Sequence, residues 1–291
     1  MKESTKGAFA IFSTYALWGA LPIYWRAMAS LNSMEILAHR AFWSCVFSLL
    51  LVCLTRKTAG LASLFRSNRR AVAALVLSGA ILSANWYIYI WAVNNGRILE
   101  GSLGYFLTPL VSILFGVVVF KERLRKAQWL AIGLAAAGSC VEVAELGRLP
   151  LVSLGIAFTF GVYGFLKKLS AVESLLGLTV ETSFIAPFAL SWLVWSQRTG
   201  AANFPYEAGL TLLLASTGMV TTIPLIMFAW GVKRSTMTFV GLAQYTAPIL
   251  MFLTATLIYH EAMPPARWLS FALIWLSVML FTADSFRLRK E

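Results

Sequence analysis

PLVSILFGVVVFKERLRKAQW at residues 109–129 returns, 139 residues later, as PILMFLTATLIYHEAMPPARW at 248–268. In both copies a proline precedes an apolar run, a glutamate closes the run and a tryptophan follows. Pro109, Glu122 and Trp129 thus recur as Pro248, Glu261 and Trp268, and the same displacement carries Gly79 to Gly218 and Trp91 to Trp230. In the first part of each copy the displacement is 142, taking Gly19 to Gly161 and Arg26 to Lys168. Charged and tryptophan positions coincide, not only Leu and Ala, so the matches mark an internal repeat rather than a shared apolar composition.

The composition says which solvent this repeat inhabits. Of 291 residues, 59% are hydrophobic and 12% charged, with a mean hydropathy of +0.76. A soluble domain carries about 25% charge. Apolar runs near the roughly 20 residues needed to cross the hydrocarbon layer recur from end to end. Spanning elements must be helices or a closed barrel, and a barrel would alternate with period two over about 10 residues. The runs here are continuous, which predicts an all-α polytopic membrane protein.

Ten spans are expected, over residues 7–27, 36–54, 71–94, 101–120, 127–144, 150–168, 175–195, 209–231, 236–259 and 265–284. The N-terminal run, flanked by Lys2 and Lys6, mimics a signal peptide, but the span count needs it as the first helix. When Lys and Arg are sorted to alternate sides, eighteen fall with the two termini and six fall opposite. That asymmetry places both termini in the cytoplasm. The net charge of +12 therefore reflects orientation in a membrane and not a nucleic-acid footprint. Cys45, Cys53 and Cys140 lie inside apolar segments without metal-ligand spacing and read as small core residues. No metal or cofactor is expected.

Ten spans divide into a first five-helix repeat, residues 1–146, and a second, residues 147–291. Five is odd, so the second repeat inserts upside down. Inverted repeats are the architecture of alternating-access carriers, with the substrate site between the repeats near mid-membrane.

The segments EILAHRAFWS (35–44), NWYIYIWAVNN (85–95), LEGSLGYFLTPL (99–110), KERLRKAQWLA (121–131), VETSF (180–184), GMVTTIPL (218–225) and QYTAPILMFL (244–253) resemble the drug/metabolite transporter superfamily, in its EamA-type branch and most closely its RarD-like permeases. The resemblance covers essentially the whole chain. It implies a multi-pass carrier of the bacterial inner membrane for a small-molecule substrate. In that superfamily spans 1, 3, 4, 6, 8 and 9 are taken to line the cavity.

Candidate site residues follow from polar groups at membrane depth. His39 and Arg40 sit one or two turns inside the outer surface, and their repeat mates Glu181 and Thr182 lie equally deep at the inner one. A charge there costs on the order of 3 kcal/mol unless it is paired or wet. One reading makes His39 and Arg40 an outer gate, with Glu35, Arg97 and Glu100 as candidate partners, and Glu181 an inner gate or proton site. The other has these side chains snorkel to headgroups and set helix depth. Asn85 and Tyr89 share a helix face with Trp86 beside them, near mid-membrane. Asn85 serves either helix packing or the substrate, and its mate Pro224 predicts a kink relieved by Thr221. Tyr105 pairs with Gln244, and Phe106 with Tyr245, each pair ahead of a proline, Pro109 or Pro248, that predicts a kink. With Trp18 and Tyr163 these aromatics outline a wet cavity, although any one of them could instead be an interface anchor. Glu122 and Glu261 read as loop ion-pair or helix-end residues.

The chain holds no G-x-x-x-x-G-K-[ST], so transport would be secondary and not driven by ATP. The rival is an intramembrane lipid-modifying enzyme, but His39 and His260 have no Asp near them and the chain's one Asp is Asp284. A channel is the third reading. A homo-oligomer is compatible with all three.

Overall fold

The computed structural model describes residues 3–28, 30–95, 97–147, 149–200, 206–258, 260 and 265–287. Among them the chain is helical, without a strand. The helices are α1 (Glu3–Arg26), α2 (Ser33–Leu54), α3 (Thr58–Ser67), α4 (Arg69–Asn94), α5 (Ile98–Val118), α6 (Lys126–Leu146), α7 (Leu151–Leu169), α8 (Ser174–Arg198), α9 (Ala208–Arg234), α10 (Met237–Gln244), α11 (Thr246–Leu253) and α12 (Pro265–Arg287). Nine apolar stretches among the described residues are long enough to cross a membrane, the last but one running through α10, α11 and the π turn Thr254–Ile258. Leu103–Val118 of α5 is a shorter apolar helix. In lipid the peptide groups find partners only within such helices.

The structure adds one short helix and distinguishes the prolines from one another. A short helix, α3, follows α2, with no buried residue and an apolar face interrupted by polar groups. It is too short and too exposed to announce itself as an apolar run. Pro109 and Pro224 do not break α5 and α9, which run through them. Pro248, by contrast, coincides with a break. Its ring has no N–H and crowds the carbonyl of Gln244 four residues back. The chain therefore turns at Tyr245, whose N–H goes to Leu242 (3.2 Å), and restarts as α11.

Packing repeats the pattern of the sequence. α1 lies along α9 and α11, as α7 lies along α4 and α5; α2 packs on α8 and α9, α8 on α2 and α4; α6 packs on α12. Small residues let these backbones approach, as they must where lipid supplies no hydrophobic drive. Hydrogen bonds follow the same displacement. Ser277 Oγ donates to the Ala131 carbonyl (2.5 Å) and Ser270 Oγ to the Gly138 carbonyl (2.9 Å), two bonds that exchange when 139 is added. They also show that α6 and α12 run antiparallel. Asn85 Nδ2 donates to the Ile156 carbonyl (2.8 Å), and the mates Thr14 and Pro224 are joined by a bond of reversed sense, Thr14 Oγ1 to the Pro224 carbonyl (3.4 Å).

One end of the bundle is laced by basic residues. Arg234 pairs with Glu3 (2.9 Å), Lys57 with Glu173 and Arg125 with Asp284, while Lys168 and Lys233 donate to the carbonyls of Ser235 and Val172. The first turn of α1 and the last of α12 both belong to this end. Of the two roles expected for Glu122, the helix-end one is seen. Its carboxylate accepts from Met237 N (2.6 Å), Thr238 N (2.9 Å) and Thr238 Oγ1 (2.6 Å), and so caps the free N–H groups that open α10. Its mate Glu261 and the loop residue Arg148 lie outside the described residues. Gly147, at φ 66°, closes α6 in a left-handed conformation suited to glycine.

Candidate functional site

A cavity of about 590 Å³ opens between α1, α2, α4, α5, α7, α9, α10 and α11. Its wall on α1 climbs from Tyr15 at mid-helix to Arg26, the helix's last residue, so it reaches the end of the bundle opposite the basic lacing. Trp18, Asn85, Trp86, Tyr89, Tyr105 and Gln244 are brought together on this surface, and Arg40 joins them. Trp25 and Phe160, not singled out from the sequence, complete the aromatic walls. Each resembled an ordinary lipid-facing aromatic, and only the fold turns it inward.

Arg40 projects from the second turn of α2. Its guanidinium carbon lies 4.4 Å from the centre of the Trp86 ring and 5.6 Å from that of Trp25, and Nε donates to Thr221 Oγ1 (3.0 Å) on α9. Thr221 Oγ1 accepts this bond, so its own O–H is still available as a donor. Glu35, Arg97 and Glu100 are not its partners. Arg97 faces Glu100 across 3.8 Å, and Glu35 accepts from Tyr206. His39 is absent from the cavity lining. Its Nε2 lies 3.2 Å from the Tyr206 hydroxyl, so His39, Tyr206 and Glu35 form a chain linking α2 to the segment before α9. Burial and then the Glu35 carboxylate push the Tyr206 phenol above its ordinary range, which keeps it a donor.

Asn85 spends its amide nitrogen on the Ile156 carbonyl and on Thr159 Oγ1 (2.9 Å), while the residue itself lines the cavity. It therefore holds α4 to α7 whatever else it does. Tyr89 and Tyr105 meet edge to face at 5.6 Å. Gln244 Oε1 accepts from Ser112 (3.5 Å).

Tyr163 and Tyr245 do not line the cavity. Tyr245 is fully buried and donates to the Phe106 carbonyl (3.2 Å), its own repeat mate. Tyr163 stacks on Phe228 (5.9 Å between centres) beneath the floor made by Tyr15, Trp18 and Phe160. Beyond that floor, toward the basic end, Tyr163 donates to Glu181 Oε2 (3.4 Å), and Lys167 Nζ lies 2.5 Å from Glu181 Oε1. Both charged side chains are almost wholly buried, at 3% and 0% exposure. Lys167 escaped the sequence reading because it counts there as one more positive residue of the cytoplasmic side. Its position one turn after Tyr163 was the available signal.

Among the described residues no cluster of His, Cys, Asp or Glu has the makings of a metal site. Long apolar helices around a cavity of small-solute size define a polytopic membrane protein, and known proteins supply the class. A model described as the EamA-like transporter family matches residues 5–143. RarD of Streptomyces exfoliatus is 40% identical over 98% of this chain and 90% of its own length. An uncharacterized transporter of Bacillus subtilis, YojE, is 38% identical over 96% and 94%. One crystal structure superposes with a TM-score of 0.73 at 19% identity, covering 98% of this chain and 99% of that one, a likeness of fold alone. The chain belongs to the EamA-like transporter family, among its RarD-like permeases, and is a membrane transporter.

Proposed function

We propose that the chain is a secondary transporter of the bacterial inner membrane, moving a small organic molecule by alternating access through the cavity at Arg40. Ten helices span the bilayer as two inverted halves, 1–146 and 147–291, with both termini in the cytoplasm. The observation that carries this reading is the cavity's position. Side chains of both halves line it, it reaches one end of the bundle, and aromatic packing plus the Lys167–Glu181 pair lie between it and the other. The symmetric Ser270 and Ser277 bonds on antiparallel α6 and α12 support the inversion, because a two-fold axis along the membrane normal would leave those helices parallel. The eighteen-to-six division of Lys and Arg supports the orientation.

In this reading the resting state is open outward. His39 and Arg40 belong to the outer vestibule and Glu181 to the inner closure, where a proton or a rearranged Lys167 would release it. Purified protein in vesicles tests the proposal by counterflow. A saturable exchange of internal for external solute is expected, whereas linear flux without exchange indicates a channel.

A further inference from the structure

The cavity's charge is one-sided. Arg26 and Arg40 are the charged side chains on its lining, and no carboxylate is among the described residues there. Arg40 has no acidic partner among the described residues. It is held by one neutral hydroxyl and two indole faces. A cation at such depth is costly unless it is compensated, and the indoles compensate only in part. Among the described residues the two terminal nitrogens of the guanidinium, unlike Nε, donate to nothing, and side by side they have the geometry that grips a carboxylate in two-point fashion. Tyr89 and Tyr105 lie within electrostatic reach of the same guanidinium and supply further donors. An ammonium group would meet the Arg40 guanidinium and no carboxylate among the described lining residues.

We propose that the transported molecule is an organic anion with a flat apolar body: its carboxylate sits on Arg40, its body lies between the indoles and phenols, and amines and zwitterions are selected against. This rests on the transporter reading, because it takes the cavity to be where the solute sits.

Four compounds with one phenyl-ethyl skeleton test it: 3-phenylpropionate, 2-phenylethanol, phenethylamine and phenylalanine, titrated into wild-type protein in lipid nanodiscs. At neutral pH 3-phenylpropionate should bind at least about tenfold more tightly than the other three, the worth of a hydrogen bond to a charged group. The preference should vanish as the pH falls through the ionisation of the acid. Arg40→Gln should remove the same factor, and Arg40→Lys should restore part of it. Equal binding of the alcohol, tighter binding of the amine or the amino acid, or no binding by any of the four overturns the proposal, without recourse to a variant. Counterflow in vesicles separates the two claims. Exchange of these compounds without preference for the anion overturns the anion site and leaves the transporter. Anion-selective binding with no exchange does the reverse.

Discussion

Gly19 of α1 lies against Leu250 of α11 so closely that a Cβ on the glycine would fall 2.7 Å from the leucine Cβ. Adding 142 to the first number and subtracting 139 from the second gives Gly161 and Val111. There a Cβ would fall 2.5 Å from Val111 Cγ1. A close approach of a glycine helix to an apolar one is thus found at both pairs of positions.

Gly19→Ala and Gly161→Ala should each destabilise the folded protein by about 1–3 kcal/mol, the usual cost of overpacking. Gly133, with open space around its Cβ direction, is the control. Thermal unfolding in detergent should lower the midpoint for the first two variants and leave that of Gly133→Ala unchanged or raised, alanine being the better helix former.

The Lys167–Glu181 pair makes a stronger demand. Removing one member leaves a buried charge unmatched, worth about 3–5 kcal/mol, whereas replacing both by apolar or neutral groups of similar size is far milder. Glu181→Gln and Lys167→Met should each unfold well below wild type, with the double variant between them and wild type. Equal stability of all four proteins would show that the pair is solvated and does not close the inner end.

Ser270 and Ser277 offer a gentler comparison. Each hydrogen bond across α6 and α12 should be worth about 0.6 kcal/mol, the mean for such bonds in membranes. Ser270→Ala and Ser277→Ala should therefore cost similar small amounts in urea or thermal titration. The double variant should lose their sum, because the bonds are two turns apart.

Tyr206 links stability to alkaline pH. Its phenol is raised in the folded protein, by burial and by Glu35. The stability it contributes is fully present below the unfolded value of about 10 and is lost as the pH rises through the higher folded one. Tyr206→Phe should remove that alkaline loss, seen as a flatter thermal midpoint between about pH 9 and 11. It should also release the His39 ring from its hydroxyl partner.

What could be read from the chain alone was what lipid imposes. Uninterrupted apolar runs located the long helices to within a turn or so, because no alternative conformation satisfies their backbone. The 139-residue correspondence was legible in the sequence at Pro109 and Pro248, Glu122 and Glu261. Its chemistry was not, since α5 runs through Pro109 whereas the chain breaks before Pro248. Glu122 looked like a loop acid because the N–H groups it caps belong to residues 115 and 116 positions away. Lys167 and Glu181 looked unrelated for a similar reason, being on separate helices that only tertiary packing brings together. The acidic partners considered for Arg40 are not beside it; two tryptophans are.

The inverted pairing of the two halves is tested most directly by sidedness. Single cysteines, in a background without Cys45, Cys53 and Cys140, would be placed at Thr5, Gly147 and Arg287 and challenged with a membrane-impermeant maleimide from either face. The account predicts labelling of Thr5→Cys and Arg287→Cys from the cytoplasmic face alone, and of Gly147→Cys from the outer face alone. Labelling of Gly147→Cys and Arg287→Cys from one and the same face would contradict it.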